Sequence, residues 1–403
     1  MKTAATAQFA VDAGSFTGQL GPMNKLTMLF RRMSGNGRPS GSVLAAGVVF
    51  AAALPGLGAD YAGWAVGHDS GDYGTIIHTV NSGATWERQG AGMIAKADMF
   101  GVVALDSTTA WVVGTVADGY STIYRTTDAG QSWARMGSAL SLPNENLYKV
   151  NAVNAQNVWA VGQGTIVNTS DGGATWANRT PAGYGGTMFQ GIFSPDGVNV
   201  WATGEAKGGY ATVLKSTDAG QSWVRQSDGF SPNVDHILGV AAVDGNNAWA
   251  VGGGGSYALK TTDGGTTWDV MDQGALIRDA NEVAVVSIDD VWVAHDSSVR
   301  WTHDGGQTWD TFNTSDYTMG IAVADETNAW AVSQSFMGQG LIYHTSDGGA
   351  NWEQQTVAGW TPGGLLTVSF ASQPVPEPSG IALMVIVIGA GAGFVARRKR
   401  ARE

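Results

Sequence analysis

Apolar residues in this chain come in short alternating runs, not in helical stripes. One set reads Trp64-Ala65-Val66-Gly67, Trp111-Val112-Val113-Gly114, Trp159-Ala160-Val161-Gly162, Trp201-Ala202-Thr203-Gly204, Trp249-Ala250-Val251-Gly252, Trp292-Val293-Ala294 and Trp330-Ala331-Val332. β-formers in period two, stopped at glycine, predict a short strand and a turn. A second run follows each, as in Thr75-Ile76-Ile77-His78-Thr79 and Thr122-Ile123-Tyr124-Arg125-Thr126. A third continues from a later tryptophan, as in Trp223-Val224-Arg225-Gln226. A fourth precedes most copies of the first, as in Phe100–Leu105, Leu147–Val153 and Ile237–Val243. The pattern therefore predicts blocks of four strands.

Between the second and third runs lies a polar turn of the form Ser/Thr-x-Asp-x-Gly-x-Thr-Trp, met seven times. Its acidic position is Asn81, Asp128, Asp171, Asp218, Asp263, Asp304 and Asp347, advancing by 47, 43, 47, 45, 41 and 43 residues. A short carboxylate can accept hydrogen bonds from nearby backbone N–H groups and fix a tight turn. The glycine two places on supplies a positive φ, and the tryptophan covers the hairpin with a large apolar face. Chemistry needs one constellation of carboxylates, whereas architecture needs the same corner in every block. These seven are therefore read as structural.

A glycine- and aromatic-rich period in the forties predicts propeller blades. The expected fold is all-β: a seven-bladed β-propeller of four-stranded antiparallel blades over residues 60–371. The first block lacks its leading run, and an unassigned run, Leu365–Phe370, stands at the far end. That segment is expected to pair beside Trp64 and close the ring, removing an exposed sheet edge.

Composition narrows the chemistry. The 403 residues include no Cys, which excludes disulfides, thiol nucleophiles and Cys-bound metals. Of 22 Lys/Arg and 34 Asp/Glu, five and one precede Asp60 and five and two follow Ser372, leaving 12 and 31 in the body. So acidic a body is a poor partner for nucleic acid or anionic lipid. No cofactor is implied. Asp69 and Asp72 lack the further spacing of a calcium loop. His295-Asp296 and His303-Asp304 read as turn residues, and no metal site is expected.

The repeats resemble Asp-box (BNR) propellers. The fuller pattern, Trp-Ala-Val-Gly followed by Thr-x-Asp-Gly-Gly-x-Thr-Trp, is most similar to the photosystem II assembly-factor propellers. That resemblance implies a propeller fold and a role in assembling a membrane complex through an arginine-rich patch. Here the body arginines are scattered over Arg88, Arg125, Arg135, Arg179, Arg225, Arg278 and Arg300. Sialidases share the box and use three converging arginines, a Tyr–Glu pair and an Asp. Six of the seven arginines here sit beside box turns, so that clamp cannot form. An Asp-box glycoside hydrolase needs only two carboxylates in a cleft and stays as an alternative.

The ends carry targeting signals. Within residues 1–59, Arg31, Arg32 and Arg38 precede the apolar run Val43–Leu54 and then Pro55-Gly56-Leu57-Gly58-Ala59, the order of a signal peptide. Within residues 372–403, Pro376-Glu377-Pro378 precedes an apolar stretch over 381–396 and then Arg397-Arg398-Lys399-Arg400. This order resembles a PEP-CTERM sorting signal. The resemblance implies a transient inner-membrane insertion, processing by an exosortase-type enzyme, and release or anchoring at the cell surface.

A binding site is expected where the leading strands begin, around the entrance of a central channel. The candidates there are Asp98, Lys149, Gln190, Asp235, His236, Asp279, Glu282 and Asp316, with Tyr148 and Tyr317 beside them. The resulting expectation is an exported, noncatalytic binding or scaffold protein of the cell surface or extracellular matrix, with a polysaccharide or protein ligand. A secreted glycoside hydrolase and an assembly factor for a membrane complex are the alternatives.

Overall fold

The computed structural model describes residues 60–68, 73–136, 145–226, 234–253, 257–273, 280–314, 316–335, 339–357 and 363–371. The signal segment, the Pro376-Glu377-Pro378 motif, the 381–396 stretch and Asp279 lie outside these residues. Among the described residues there is no helix long and apolar enough to cross a membrane. They form 28 strands, every pairing antiparallel.

Each block, numbered here by its box, contributes a leading, second, third and fourth strand. In block two these are Met99–Ala104, Ala110–Ala117, Tyr120–Thr126 and Ala134–Arg135, hydrogen-bonded in that order. The alternating Trp-x-Val strand is central to its sheet and buried on both faces, as Ala110, Trp111, Val112 and Val113 all are. Burial on both faces explains why it reads as a continuous apolar run. The fourth strands are short edges, only two residues long in blocks one to four. Blocks four and five merge into one sheet because Glu205 of Val200–Lys207 pairs with His236.

Block one takes its leading strand from the far end of the chain. Leu365–Phe370 runs antiparallel to Gly63–Gly67 with Trp64 opposite Ser369. The leading strands pack on one another in series, from Leu365–Phe370 through those beginning at Met99, Leu147, Phe189, His236 and Ala280 to Tyr317–Val323. Tyr317–Val323 packs in turn on Leu365–Phe370.

The core is split among the block interfaces, and here the structure corrects one expectation. The box tryptophan does not simply cover its own hairpin. It enters the cluster of the preceding block, edge-on to that block's second-strand tryptophan. Trp176 meets Trp111 at 85°, Trp223 meets Trp159 at 89°, Trp268 meets Trp201 at 82° and Trp309 meets Trp249 at 83°. Between blocks seven and one the arrangement is different. Trp86 and Trp330 share a cluster through Phe370, which stacks on Trp330 at 3.6 Å. Hydrogen bonds tie the same interface: Trp86 Nε1 donates to Gln355 Oε1, Gln355 Nε2 to Ser82 O, and the Tyr61 hydroxyl to Asp325.

Candidate functional site

The box turns come first because six repeated carboxylates, with Asn81 in the first copy, invite a catalytic reading. In each, the Ser/Thr hydroxyl donates to the acidic side chain at 2.8–3.0 Å and accepts the glycine N–H at 2.8–3.0 Å. The same side chain accepts the N–H four residues on, at 2.8–2.9 Å. In the six aspartate copies the second oxygen takes the side chain of that later residue, as with Thr175 and Asp171 at 2.5 Å. In block one the sense reverses, and Asn81 Nδ2 donates to Thr85. These donors, above all those of the later residue, hold the carboxyls of Asp171, Asp218, Asp263 and Asp304 down to about 2. A group that stays ionised to pH 2 is no general acid near neutrality.

The glycine of the box answers two demands at once. Gly265 and Gly306 have φ of 88° and 91°, and a Cβ on either would lie 2.9 Å from a ring carbon of Trp201 or Trp249. The residue before it is also left-handed, which the sequence reading missed. It is Gly172, Gly264, Gly305 or Gly348 in four copies and Ser82, Ala129 or Ala219 in three. The choice follows the neighbouring block. Arg125, Lys215, Lys260 and His303 reach the carbonyls of Gly172, Gly264, Gly305 and Gly348 at 3.0, 3.0, 3.4 and 3.5 Å. Arg125, Lys215 and Lys260 also lie over their own block's tryptophan. Opposite Ser82 and Ala129 the donors are the neutral amides of Gln355 and Gln89.

A second repeated turn was also missed, although its signal was present five residues before the Trp of the second strand. Asp106, Asn154, Asp196, Asp244 and Asp325 each accept the N–H groups two and three residues on, and the Ser287 hydroxyl does the same. Block one has no such turn because its leading and second strands are not consecutive in the chain.

The leading strands carry the unrepeated chemistry. Each has a bulge, and the residue it leaves unpaired is Leu366, Phe100, Tyr148, Gln190, Leu238, Asn281 or Met319, half-buried in every case. The next residue is Gly101, Gly191, Gly239 or Gly320 in four blocks, where a Cβ would press within 3.0–3.2 Å of the adjoining leading strand's backbone. In the other three it is Lys149, Glu282 and Thr367, and these meet. Lys149 Nζ lies 2.5 Å from Glu282 Oε1 and 3.5 Å from Thr367 Oγ1. Blocks three and six are not neighbours, so the ion pair spans the space between the leading strands. Burial raises the Glu282 carboxyl, and Lys149 pulls against it. Glu282 Oε2 and Gln190 Oε1 are buried with no hydrogen-bond partner.

The structure thus divides the sequence-derived candidates. Asp98 lies at the strand entrance with His68 Nδ1 3.3 Å away, and Asp235 contacts His236 Nδ1 at 2.7 Å. The backbone carbonyl of Asp316 accepts Thr314 Oγ1. Lys149, Glu282 and Gln190 sit farther along their strands, and Glu282 joins Lys149. His303, read as a turn residue, is held by the Asp290 carboxylate at 2.8 Å, which itself accepts Trp292 Nε1. No group of three His, Asp or Glu among the described residues could hold a metal ion.

Residues 57–200 match the family model described as "Photosynthesis system II assembly factor YCF48". That span covers blocks one to three without the Leu365–Phe370 strand, and the leading strand of block four. YCF48 from Cyanidioschyzon merolae superposes with a TM-score of 0.50 at 16% identity, over 68% of this chain and 90% of that one. YCF48 bound to D1 peptide gives 0.49 at 17%, over 64% and 80%. The GH74 xyloglucanase from Xanthomonas campestris gives 0.54 at 14%, over 78% of this chain and 53% of that one, so the chain spans about half its length. No curated protein matches the sequence. The described residues share the β-propeller fold of these structures.

Proposed function

We propose that the seven four-stranded blocks form one closed seven-bladed ring acting as a noncatalytic binding or scaffold protein. Its partner docks where the leading strands begin. The supporting observation is the state of the carboxylates there. Asp98 and Asp235 lie against His68 and His236, and Glu282, farther along its strand, lies against Lys149. Glycoside hydrolysis on such a scaffold needs an acid and a base or nucleophile about 5–10 Å apart across the substrate. The match over residues 57–200 favours a protein client over a sugar, which makes an assembly role for a membrane complex the second reading.

Export and surface sorting belong to the same proposal, resting on the Arg31–Ala59 and Pro376–Arg400 segments. An exosortase-type enzyme is then the processing partner. Crosslinking and capture from the native host, run beside turnover of labelled polysaccharides, tests the reading. A protein captured by the wild type and lost with Asp98→Asn/Asp235→Asn supports it. Polysaccharide turnover abolished by Glu282→Gln would replace it with the hydrolase.

A further inference from the structure

The interfaces between blocks are not alike: three carry the Arg125, Lys215 or Lys260 clamp, and neither of the two that bound block one is among them. In the register of the second and third strands, the tryptophan of each block faces one residue of the third strand. These residues are Arg125, Asn168, Lys215, Lys260 and Trp301 in blocks two to six. In blocks one and seven they are His78 and His344. His78 stacks on Trp64 at 4.3 Å and His344 on Trp330 at 4.5 Å. Trp64 lies in the cluster shared by blocks one and two, and Trp330 in the cluster shared by blocks seven and one. A histidine therefore stands at each flank of the same block.

The two sites are built alike. Both imidazoles are more than nine-tenths buried, and Nε2 of each has no hydrogen-bond partner. The groups around His78 are Trp64, the cross-strand Glu87, and Arg88 and Gln89 of the same cleft. Arg88 is turned onto the Tyr73 ring and carbonyl, and Gln89 onto Trp64 Nε1 and Ala129 O. Around His344 stand Trp330 and the exposed Glu353, whose carboxylate lies 3.5 Å from Nδ1. Glu353 assists protonation from the solvent side, but no acceptor meets Nε2.

We propose that His78 and His344 make block one an acid-released segment of the fold, freed at both flanks when the two imidazoles gain protons. The block is suited to opening because it joins the first described strand to the last by strand pairing and packing with no covalent link, in a chain without cysteine. Its neutral amide contacts, Gln355 to Ser82 and Gln89 to Ala129, lack the charge of the Arg125, Lys215 and Lys260 clamps. Burial lowers both imidazoles, that of His78 from 6.5 to about 4. A freed block would titrate at the ordinary value, so release gains from pH 6.5 downward until the native imidazoles also take up protons. For His78 alone this shifts the opening equilibrium on the order of a hundredfold by pH 4.

Hydrogen exchange followed by mass spectrometry on the full chain tests this, comparing pH 7 with pH 5 after correction for the intrinsic rate. The expected result is loss of protection at pH 5 in 63–79 and 365–370, while 200–216 and 248–261 stay protected. His78→Asn/His344→Asn, which installs the residue block three carries at Asn168, should remove that pH dependence. His78→Phe/His344→Phe serves as a second variant, keeping the stacking without the titration. Uniform loss of protection across all blocks would overturn the proposal, as would an unchanged pH response in a folded double variant.

Discussion

The box turns and the leading-strand bulges both recur in all seven blocks, yet they hold different chemistry. At the boxes the same hydroxyl, carboxylate and N–H groups close on one another with nearly constant distances. At the bulges the residue changes from Phe100 to Tyr148, Gln190, Leu238, Asn281, Met319 and Leu366, and two buried acceptors nearby find no donor. Repetition of the same turn hydrogen bonds in every copy is what a packing device requires. Divergence at equivalent positions is where recognition has room to act.

That contrast can be broken most forcefully from the packing side. Trp249→Ala removes a fully buried ring between blocks five and six and should cost about 4 kcal/mol in a denaturant titration. Partner capture should survive wherever the variant folds. Gly265→Ala should cost about 3 kcal/mol, since it combines a left-handed backbone with a clash on Trp201. The paired variant Gly265→Ala/Trp201→Phe should recover part of that loss, separating the clash from the backbone.

Acid sharpens the comparison in a second way. The carboxyls of Asp171, Asp218, Asp263 and Asp304 are depressed from 3.8 to about 2. Their contribution is complete above pH 4 and lost as pH falls through 2. A pH series of urea midpoints should therefore show a late acid loss, which Asp263→Asn reduces. Glu282→Gln probes the other region. It should lower stability by about 3 kcal/mol through the uncompensated Lys149, and it should alter capture of a partner when the box variants do not. Smallest is Ala219→Gly, which relieves a left-handed alanine at φ 55° and should stabilise by about 0.5 kcal/mol.

The strands and the turn were legible because their signals are local. Two alternations of apolar residues and one Ser/Thr-x-Asp-x-Gly pattern fix the strand and corner geometry within about ten residues of chain. The sixfold turn before the second strands of blocks two to seven was equally local and was overlooked because serine and asparagine stand in for aspartate. What each box tryptophan touches was not legible, since its partner lies in the preceding block, more than forty residues away. The same holds for the rule linking Arg125, Lys215 and Lys260 to the glycines they face.

Composition and periodicity by themselves determined an all-β chain of four-stranded blocks with structural carboxylates at the corners. Tertiary structure alone decided that Lys149 meets Glu282, that Glu282 lies away from the entrance held by Asp98 and Asp235, and that a histidine flanks block one on each side. The reason is range. A turn is settled by bonds among neighbours in sequence, whereas side chains on separate leading strands meet only after packing has set those strands side by side.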